Sequence, residues 1–175
     1  LGPQRTGRVV GIMKAYTTRV GSGPFPTELD DAIGEKLRAT GHEFGATTGR
    51  PRRCGWLDLV ALRYTHRTSG IEALAITKLD VLAGIDPIQV CVAYELDGER
   101  ITTFPDNVHD LVRVKPIYEA HPGFGDVRGR TKLDDLPAPA RAYLDMISRE
   151  LESKIALVSL GPGRGEDIEL FDPFQ

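Results

Sequence analysis

Three glycine- and proline-rich segments limit this chain more than any other feature. "VGSGPFPTEL", residues 20–29, holds two glycines and two prolines in ten positions. "GATTGRPRRCG", residues 45–55, holds three glycines, a proline and three arginines in eleven. "SLGPGRG", residues 159–165, is the third. Proline removes a backbone donor and fixes φ, and glycine weakens helix and strand interiors. No regular element can run through residues 20–29, and the other two segments read as loops.

The intervals read as follows. Residues 8–19 (RVVGIMKAYTTR) are mixed apolar, and the pattern predicts a helix, with the opening LGPQRTGRVVG (residues 1–11) reading as the exit of a loop entering it. Residues 31–40 place Ile33 and Leu37 on one face, which predicts a short surface helix stopped by Gly41. Residues 56–68 carry Leu57, Val60, Ala61 and Tyr64 at helical spacing, ended by Gly70. Residues 73–76 predict a short buried strand. Residues 88–96 (IQVCVAYEL) alternate, Asp97-Gly98 signals a hairpin, and residues 100–104 return. Residues 114–119 predict another strand, and residues 121–135 read as irregular. Leu136, Ala140, Tyr143, Leu144, Ile147 and Leu151 form a helical stripe, with Pro137 and Pro139 in the first turn. Strands follow at 155–158 and 168–171.

This predicts an α/β fold: a mixed, largely parallel sheet flanked by helices, with a small β-hairpin. In such folds ligands sit beyond the carboxyl ends of strands. Both Lys78-Leu79-Asp80 and Ser159-Leu160-Gly161 follow predicted strands.

Bulk properties exclude several classes. The 175 residues are 41% hydrophobic and 27% charged, as in an ordinary globular domain. The net charge of −3 gives no reason to expect nucleic acid or an anionic membrane as partner. No apolar run approaches the roughly 20 residues needed to span a bilayer, and no signal peptide is evident. Two cysteines, Cys54 and Cys91, lack metal-ligand spacing and predict a reducing, cytoplasmic compartment. The absence of an initiator methionine predicts a processed product or a fragment.

Four places could carry chemistry. Asp80 is a bidentate acceptor, matched to the ring N–H and exocyclic amino group of guanine and unmatched to adenine. The stem of Lys78 could lie along the base. The same Lys-x-Asp could equally be a solvated strand end. In "ATTGRPRR", three cations within four residues repel one another unless an anion or carboxylates sit among them. Thr47 and Thr48 add hydroxyls, Gly49 permits close backbone approach, and an arginine fork matches carboxylate or phosphate. That loop is either a clasp on an anionic substrate or a basic surface. The 159–165 loop could cover a flat base or be a turn. Residues 20–29 could press backbone on a ligand or be a connector. The arginines beside Cys54 would lower its pKa if they lie near it, though a plain reduced cysteine is favoured. His42, His66, His109 and His121 form no cluster and receive no catalytic or metal role. No Gly-Lys dipeptide occurs, so there is no phosphate loop, and no pair presents itself as nucleophile and base.

Taken in order, "KAYTTRVGSGPFPTEL", "EFGATTGRPRRCGWLDLVALRY", "ITKLDVL", "VCVAYELDGE", "PIYE" and "SLGPGR" resemble the C-terminal part of adenylosuccinate synthetase, across essentially the whole sequence. That family joins inosine monophosphate (IMP) and L-aspartate, using GTP and Mg2+. GTP phosphorylates the purine oxygen, and the amino group of aspartate displaces that phosphate. The resemblance implies that Ala46, Thr47, Thr48, Gly49, Arg50, Pro51 and Arg52 form the aspartate-binding loop. Arg50 would contact aspartate and IMP in a supporting catalytic role, and Arg52 would lie on the GTP side. Val20 and Gly21 would flank the inosine ribose. Lys78, Leu79 and Asp80 would read guanine, with Ser159, Leu160 and Gly161 as the second guanine loop. Pro51 stands where many relatives have arginine, and Leu160 where threonine is common.

The resemblance places the phosphate loop, the catalytic aspartate and histidine and the Mg2+ ligands in an N-terminal half outside this sequence. Residues 1–175 would then be a partial fold of a larger single-domain enzyme, a cytoplasmic homodimer when complete. This chain alone is expected not to turn over. Two alternatives remain: a non-catalytic guanine-nucleotide-binding module, and a different GTP-dependent enzyme or switch. A switch has no use for an aspartate loop.

Overall fold

The computed structural model describes residues 7–175; the first six residues of the stretch read as a loop entering a helix lie outside them. In chain order the elements are β1 (Val10–Lys14), β2 (Thr17–Arg19), α1 (Ala32–Thr40), β3 (Arg53–Gly55), β4 (Leu57–Asp58), α2 (Leu59–Ser69), β5 (Ala73–Thr77), β6 (Ile88–Leu96), β7 (Glu99–Ile101), α3 (Val108–Arg113), β8 (Lys115–His121), α4 (Ala138–Glu150), β9 (Lys154–Ser159) and β10 (Asp167–Glu169). They form two compact units.

The first unit takes the chain up to Ala15, Leu62–Gly84 and Gly123–Gln175. Its sheet has the order β1-β5-β9-β10. β1 and β9 both run parallel to β5, and β10 closes the far side antiparallel to β9. Leu74, Ile76, Ala156 and Val158 from the central strands are buried, as is the whole predicted stripe, with Leu136 and Leu151 just outside the ends of α4. Tyr143 on that stripe donates its hydroxyl to the Ala15 carbonyl at 2.7 Å. Burial pushes the Tyr143 phenol up from its ordinary pKa, so it stays a donor.

Residues 8–19 hold two strands, β1 and β2, and no helix. The segment is rich in β-branched residues (Val9, Val10, Ile12, Thr17, Thr18), and β5 offers β1 a parallel ladder from Val10↔Ala73 to Lys14↔Thr77. Gly11 fits that ladder for a steric reason: a Cβ there would lie 2.7 Å from Ile71. Tertiary pairing outweighed a weak local periodicity.

The second unit comprises Tyr16–Ala61 and Ile85–Pro122. β6 pairs parallel with β4 and antiparallel with β7 and β8. The β6–β7 hairpin turns on Asp97 (φ 52) and Gly98 (φ 90), two successive left-handed residues that suit a tight hairpin. Val60, Cys91, Tyr94 and Val114 form a core cluster, with Leu111 and Tyr118 against it. Separately, β2 and β3 form an antiparallel pair with Arg19 opposite Arg53.

The helix expected from Trp56 begins at Leu59, because Leu57 and Asp58 pair with Val90 and Cys91. Asp58 then caps it: its Oδ1 accepts from the N–H groups of Val60 and Ala61, both at 3.1 Å. Its Oδ2 accepts from the buried Tyr94 hydroxyl at 2.5 Å. The helix after Asp31 forms as predicted, with Asp31 Oδ1 accepting from Ile33 and Gly34. Gly41 ends it without a left-handed turn (φ −78). Glycine is needed there for space, since a Cβ would lie 2.2 Å from the Tyr16 hydroxyl.

Candidate functional site

Each unit carries one cluster of the loops singled out above. In the second unit the cluster sits at one end of the β2–β3 pair. β2 ends at Arg19 and β3 starts at the opposite residue, Arg53. The loop after β2 (Val20, Gly21 and onward) and the loop before β3 (Ala46 to Arg52) therefore leave the same end of one ladder.

The base of the second loop is fixed from inside. Glu43 has no exposed surface. Its Oε1 accepts from the Tyr16 hydroxyl at 2.5 Å and its Oε2 from Arg52 Nη1 at 2.9 Å. The backbones repeat the link, with Arg52 N–H on the Glu43 carbonyl at 2.8 Å and Arg38 Nε on the Arg52 carbonyl at 3.0 Å. Above this base the loop closes on itself. Gly45 N–H donates to the Arg50 carbonyl, Gly49 N–H to the Gly45 carbonyl, and Arg50 N–H to Thr48 Oγ1. Gly49 adopts φ 65, which explains a glycine at that turn.

The three crowded cations thus divide. Arg52 is neutralised by Glu43. Arg53 forms a two-pronged pair with Glu28, Nε to Oε1 at 2.6 Å and Nη2 to Oε2. Arg50 is exposed, and among the described residues its guanidinium has no partner. Ala46, Thr47, Thr48, Gly49 and Pro51 are exposed around it. Charge repulsion within the loop is relieved by two carboxylates, Glu43 and Glu28, and neither was singled out in the sequence. Glu43 lies nine residues before Arg52 and Glu28 lies 25 before Arg53, so no local signal marks either. Cys54, flanked by these arginines, is fully buried with its thiol toward the Arg52 carbonyl, so it is an interior residue. On the neighbouring loop Val20 is 77% exposed, and Gly21 takes φ 82.

In the first unit, Ile76 of β5 lies opposite Val158 of the parallel strand β9. The residues just beyond, Lys78 and Ser159-Leu160-Gly161, emerge at adjacent carboxyl ends. Lys78 takes a left-handed conformation (φ 61), which costs a lysine about 1–2 kcal/mol. Such strain concentrates at functional positions. It turns the chain into a 3-10 turn over Leu79–Leu82. Leu79 is fully buried, so it anchors the turn by its side chain. Asp80 is only 7% exposed, and its Oδ2 accepts from Arg128 Nη2 at 3.2 Å. Arg128 comes from the stretch read as irregular, and no periodicity marks it.

The 159–165 loop is held by Glu166. The Leu160 N–H donates to the Glu166 carbonyl at 2.8 Å, and Gly163 N–H to Glu166 Oε2 at 2.5 Å. A Cβ on Gly161 would lie 2.3 Å from that carboxylate. Leu160 is fully buried, so its side chain belongs to the core and only its backbone is left at the loop. Ser159 Oγ donates to the Gly161 carbonyl at 3.0 Å.

Among the described residues no group of three His, Cys, Asp or Glu could hold a metal ion, and no helix is long and apolar enough to cross a membrane.

Loops at the carboxyl ends of adjacent parallel strands, with a buried carboxylate beside them, define an α/β protein of the open-sheet class. Within that class the chain belongs to the adenylosuccinate synthetase family, whose model matches residues 1–168. It is 51% identical to adenylosuccinate synthetase of Desulfatibacillum aliphaticivorans over 99% of this chain and 41% of the relative. It is 52% identical to that of Myxococcus xanthus (strain DK1622), over 100% and 40% respectively. The structure of fully ligated adenylosuccinate synthetase from Plasmodium falciparum superimposes with a TM-score of 0.93 at 38% identity, covering 97% of this chain and 41% of that one. The chain thus spans about two-fifths of the length of these relatives.

Proposed function

We propose that this chain supplies the amino-acid-binding and guanine-reading loops of an adenylosuccinate synthetase. The complete protein would ligate IMP and L-aspartate into adenylosuccinate, with GTP cleaved to GDP and phosphate, in purine biosynthesis. The observation that carries this reading is Arg50: an exposed guanidinium without a partner among the described residues, on a loop pinned by buried Glu43. An unneutralised fork on an anchored loop suits the carboxylate of a small dicarboxylic acid. Thr47 and Thr48 stand beside it as hydroxyl donors.

Asp80 would accept the paired N–H groups of guanine, and Lys78 would bring its stem along the base. Backbone groups of Ser159 to Gly161 would lie against the base. Arg52, committed to Glu43, would act on the GTP side through its remaining N–H groups. Val20 and Gly21 would flank the inosine ribose. Phosphoryl transfer also requires phosphates and Mg2+ to be held and their charge offset. Arg50 and Arg52 offer only part of that, so the 175 residues alone should not turn over. The reading includes a cytoplasmic location and a homodimeric complete enzyme.

Phosphate release with IMP, aspartate and GTP tests the proposal. The full-length protein should turn over and the isolated chain should not. Turnover by the full-length protein with no need of aspartate would refute the loop assignment. Guanine-nucleotide binding with no turnover in the full-length protein would favour a non-catalytic binding module.

A further inference from the structure

Arg53 stands next to the proposed aspartate loop, yet its guanidinium is turned elsewhere. Nε and Nη2 grip Glu28. Nη1 donates to the carbonyls of Gly21 at 3.2 Å and Gly23 at 2.8 Å. Its carbon also lies 5.5 Å from the centre of the Phe25 ring. Four of the five N–H groups of a guanidinium are then engaged within the protein, leaving little for a ligand.

What it holds is a loop with little stiffness of its own. Gly21 and Gly23 both adopt positive φ, 82 and 111. Glycine loses more freedom on ordering than any other residue, and fixing one backbone residue costs about 1–2 kcal/mol. The loop is ordered from outside, by Arg53 on two carbonyls and by Arg19, whose Nη2 donates to the Ser22 carbonyl at 3.1 Å. Glu28, which orients Arg53, closes the same loop on β3 through a backbone bridge to Gly55. The Arg53 hydrogen bond holds the Glu28 carboxyl below its ordinary pKa, so the pair is ionised at neutral pH.

We infer that Arg53, oriented by Glu28, is a positioning residue that fixes the Val20–Gly21 backbone and thereby sets affinity for the purine mononucleotide. This deepens the reading above and rests on it, since that reading puts the loop beside the inosine ribose. Arg53 acts through the loop and touches no reacting atom. Lysine keeps the charge and loses the fork, so it cannot hold Glu28 and two carbonyls together.

The test uses the full-length enzyme with Arg53→Lys and, separately, Glu28→Gln. KM for IMP should rise about tenfold in the first variant and less in the second, a loss of about 1.4 kcal/mol of binding. KM for GTP and kcat should stay within about twofold, and amide hydrogen exchange in residues 20–23 should accelerate. A KM for IMP within about twofold of the unsubstituted enzyme in both variants would overturn the inference. So would a parallel fall of every kinetic constant with the melting temperature, which marks a purely structural role. If the unsubstituted enzyme shows no saturable response to IMP, the functional reading itself fails and takes this inference with it.

Discussion

Arg52 donates to the Glu43 carboxylate at 2.9 Å, and Glu43 has no exposed surface. The pair joins the end of the basic loop to the interior, with the Tyr16 hydroxyl on the other carboxylate oxygen. Removing one member strands the other in a poorly solvated place. Glu43→Ala should lower unfolding free energy by about 3 kcal/mol, the low end for breaking a buried pair, because Arg52 is partly exposed. Urea denaturation measures it. A loss under about 1 kcal/mol would mean that Glu43 does not anchor the loop.

Arg50→Leu should separate function from folding. The side chain is exposed and lacks a partner among the described residues, so stability should move by no more than about 0.5 kcal/mol. In the full-length enzyme, KM for aspartate should rise about thirtyfold, the loss of a charge-assisted hydrogen bond of about 2 kcal/mol. Steady-state kinetics with aspartate varied read this directly. An unaltered aspartate dependence removes Arg50 from the site.

Asp80→Asn should erase discrimination between GTP and inosine triphosphate, which lacks the exocyclic amino group. A carboxylate offers acceptors only, while the amide turns one of them into a donor facing the donors of guanine. The preference for GTP should shrink by about 1–3 kcal/mol. Competition binding with the two nucleotides checks it, and an unchanged preference would exclude Asp80 as the base reader.

The sequence was most legible where one local signal and the tertiary demand agreed. At α4, four apolar residues at helical spacing, two more flanking its ends, prolines at its start and a buried stripe all coincide. Asp97-Gly98 likewise names its hairpin. Legibility failed where pairing partners are distant. Nothing within residues 8–19 announces β5, which makes β1 a strand. Nothing near Trp56 announces Val90 and Cys91, which hold Leu57 and Asp58 as strand until Asp58 can cap α2. The candidate site divides the same way. Residue type alone marks Arg50 and Asp80 as candidates, but Glu43, Glu28 and Arg128, which hold the neighbouring groups, are polar residues whose partners lie 9, 25 and 48 positions away.

Gly55→Ala should be far more damaging than its surroundings suggest. Its φ is ordinary, so the restriction is space: a Cβ would meet the Thr27 carbonyl oxygen at 2.2 Å. That oxygen also accepts from the Trp56 N–H at 3.1 Å, so relief requires moving backbone and breaking a hydrogen bond. The expected cost is about 2–3 kcal/mol, in the overpacking range. Gly7→Ala, where nothing lies within 4 Å, is the control and should be near neutral. Equal melting temperatures for the two variants would contradict the close approach.

The Glu28–Arg53 pair should leave a signature in acid. The hydrogen bond from Arg53 lowers the Glu28 pKa below its ordinary value, outweighing partial burial, which raises it. A carboxyl whose pKa is depressed on folding stabilises the folded state above its unfolded pKa, and that stabilisation fades as pH falls through the folded value. Both side chains are about a third exposed, so the amount is at the surface-pair scale, about 1 kcal/mol or less. Between neutral pH and about pH 5 the contribution should be constant, and below the ordinary glutamate value of about 4.3 it should decline. Glu28→Gln should flatten that part of the stability profile. Denaturation at a series of pH values, with and without the substitution, measures the difference. If the two curves stay parallel through the acid limb, Glu28 is not held ionised by Arg53, and the anchor on the glycine loop is weaker than its geometry implies.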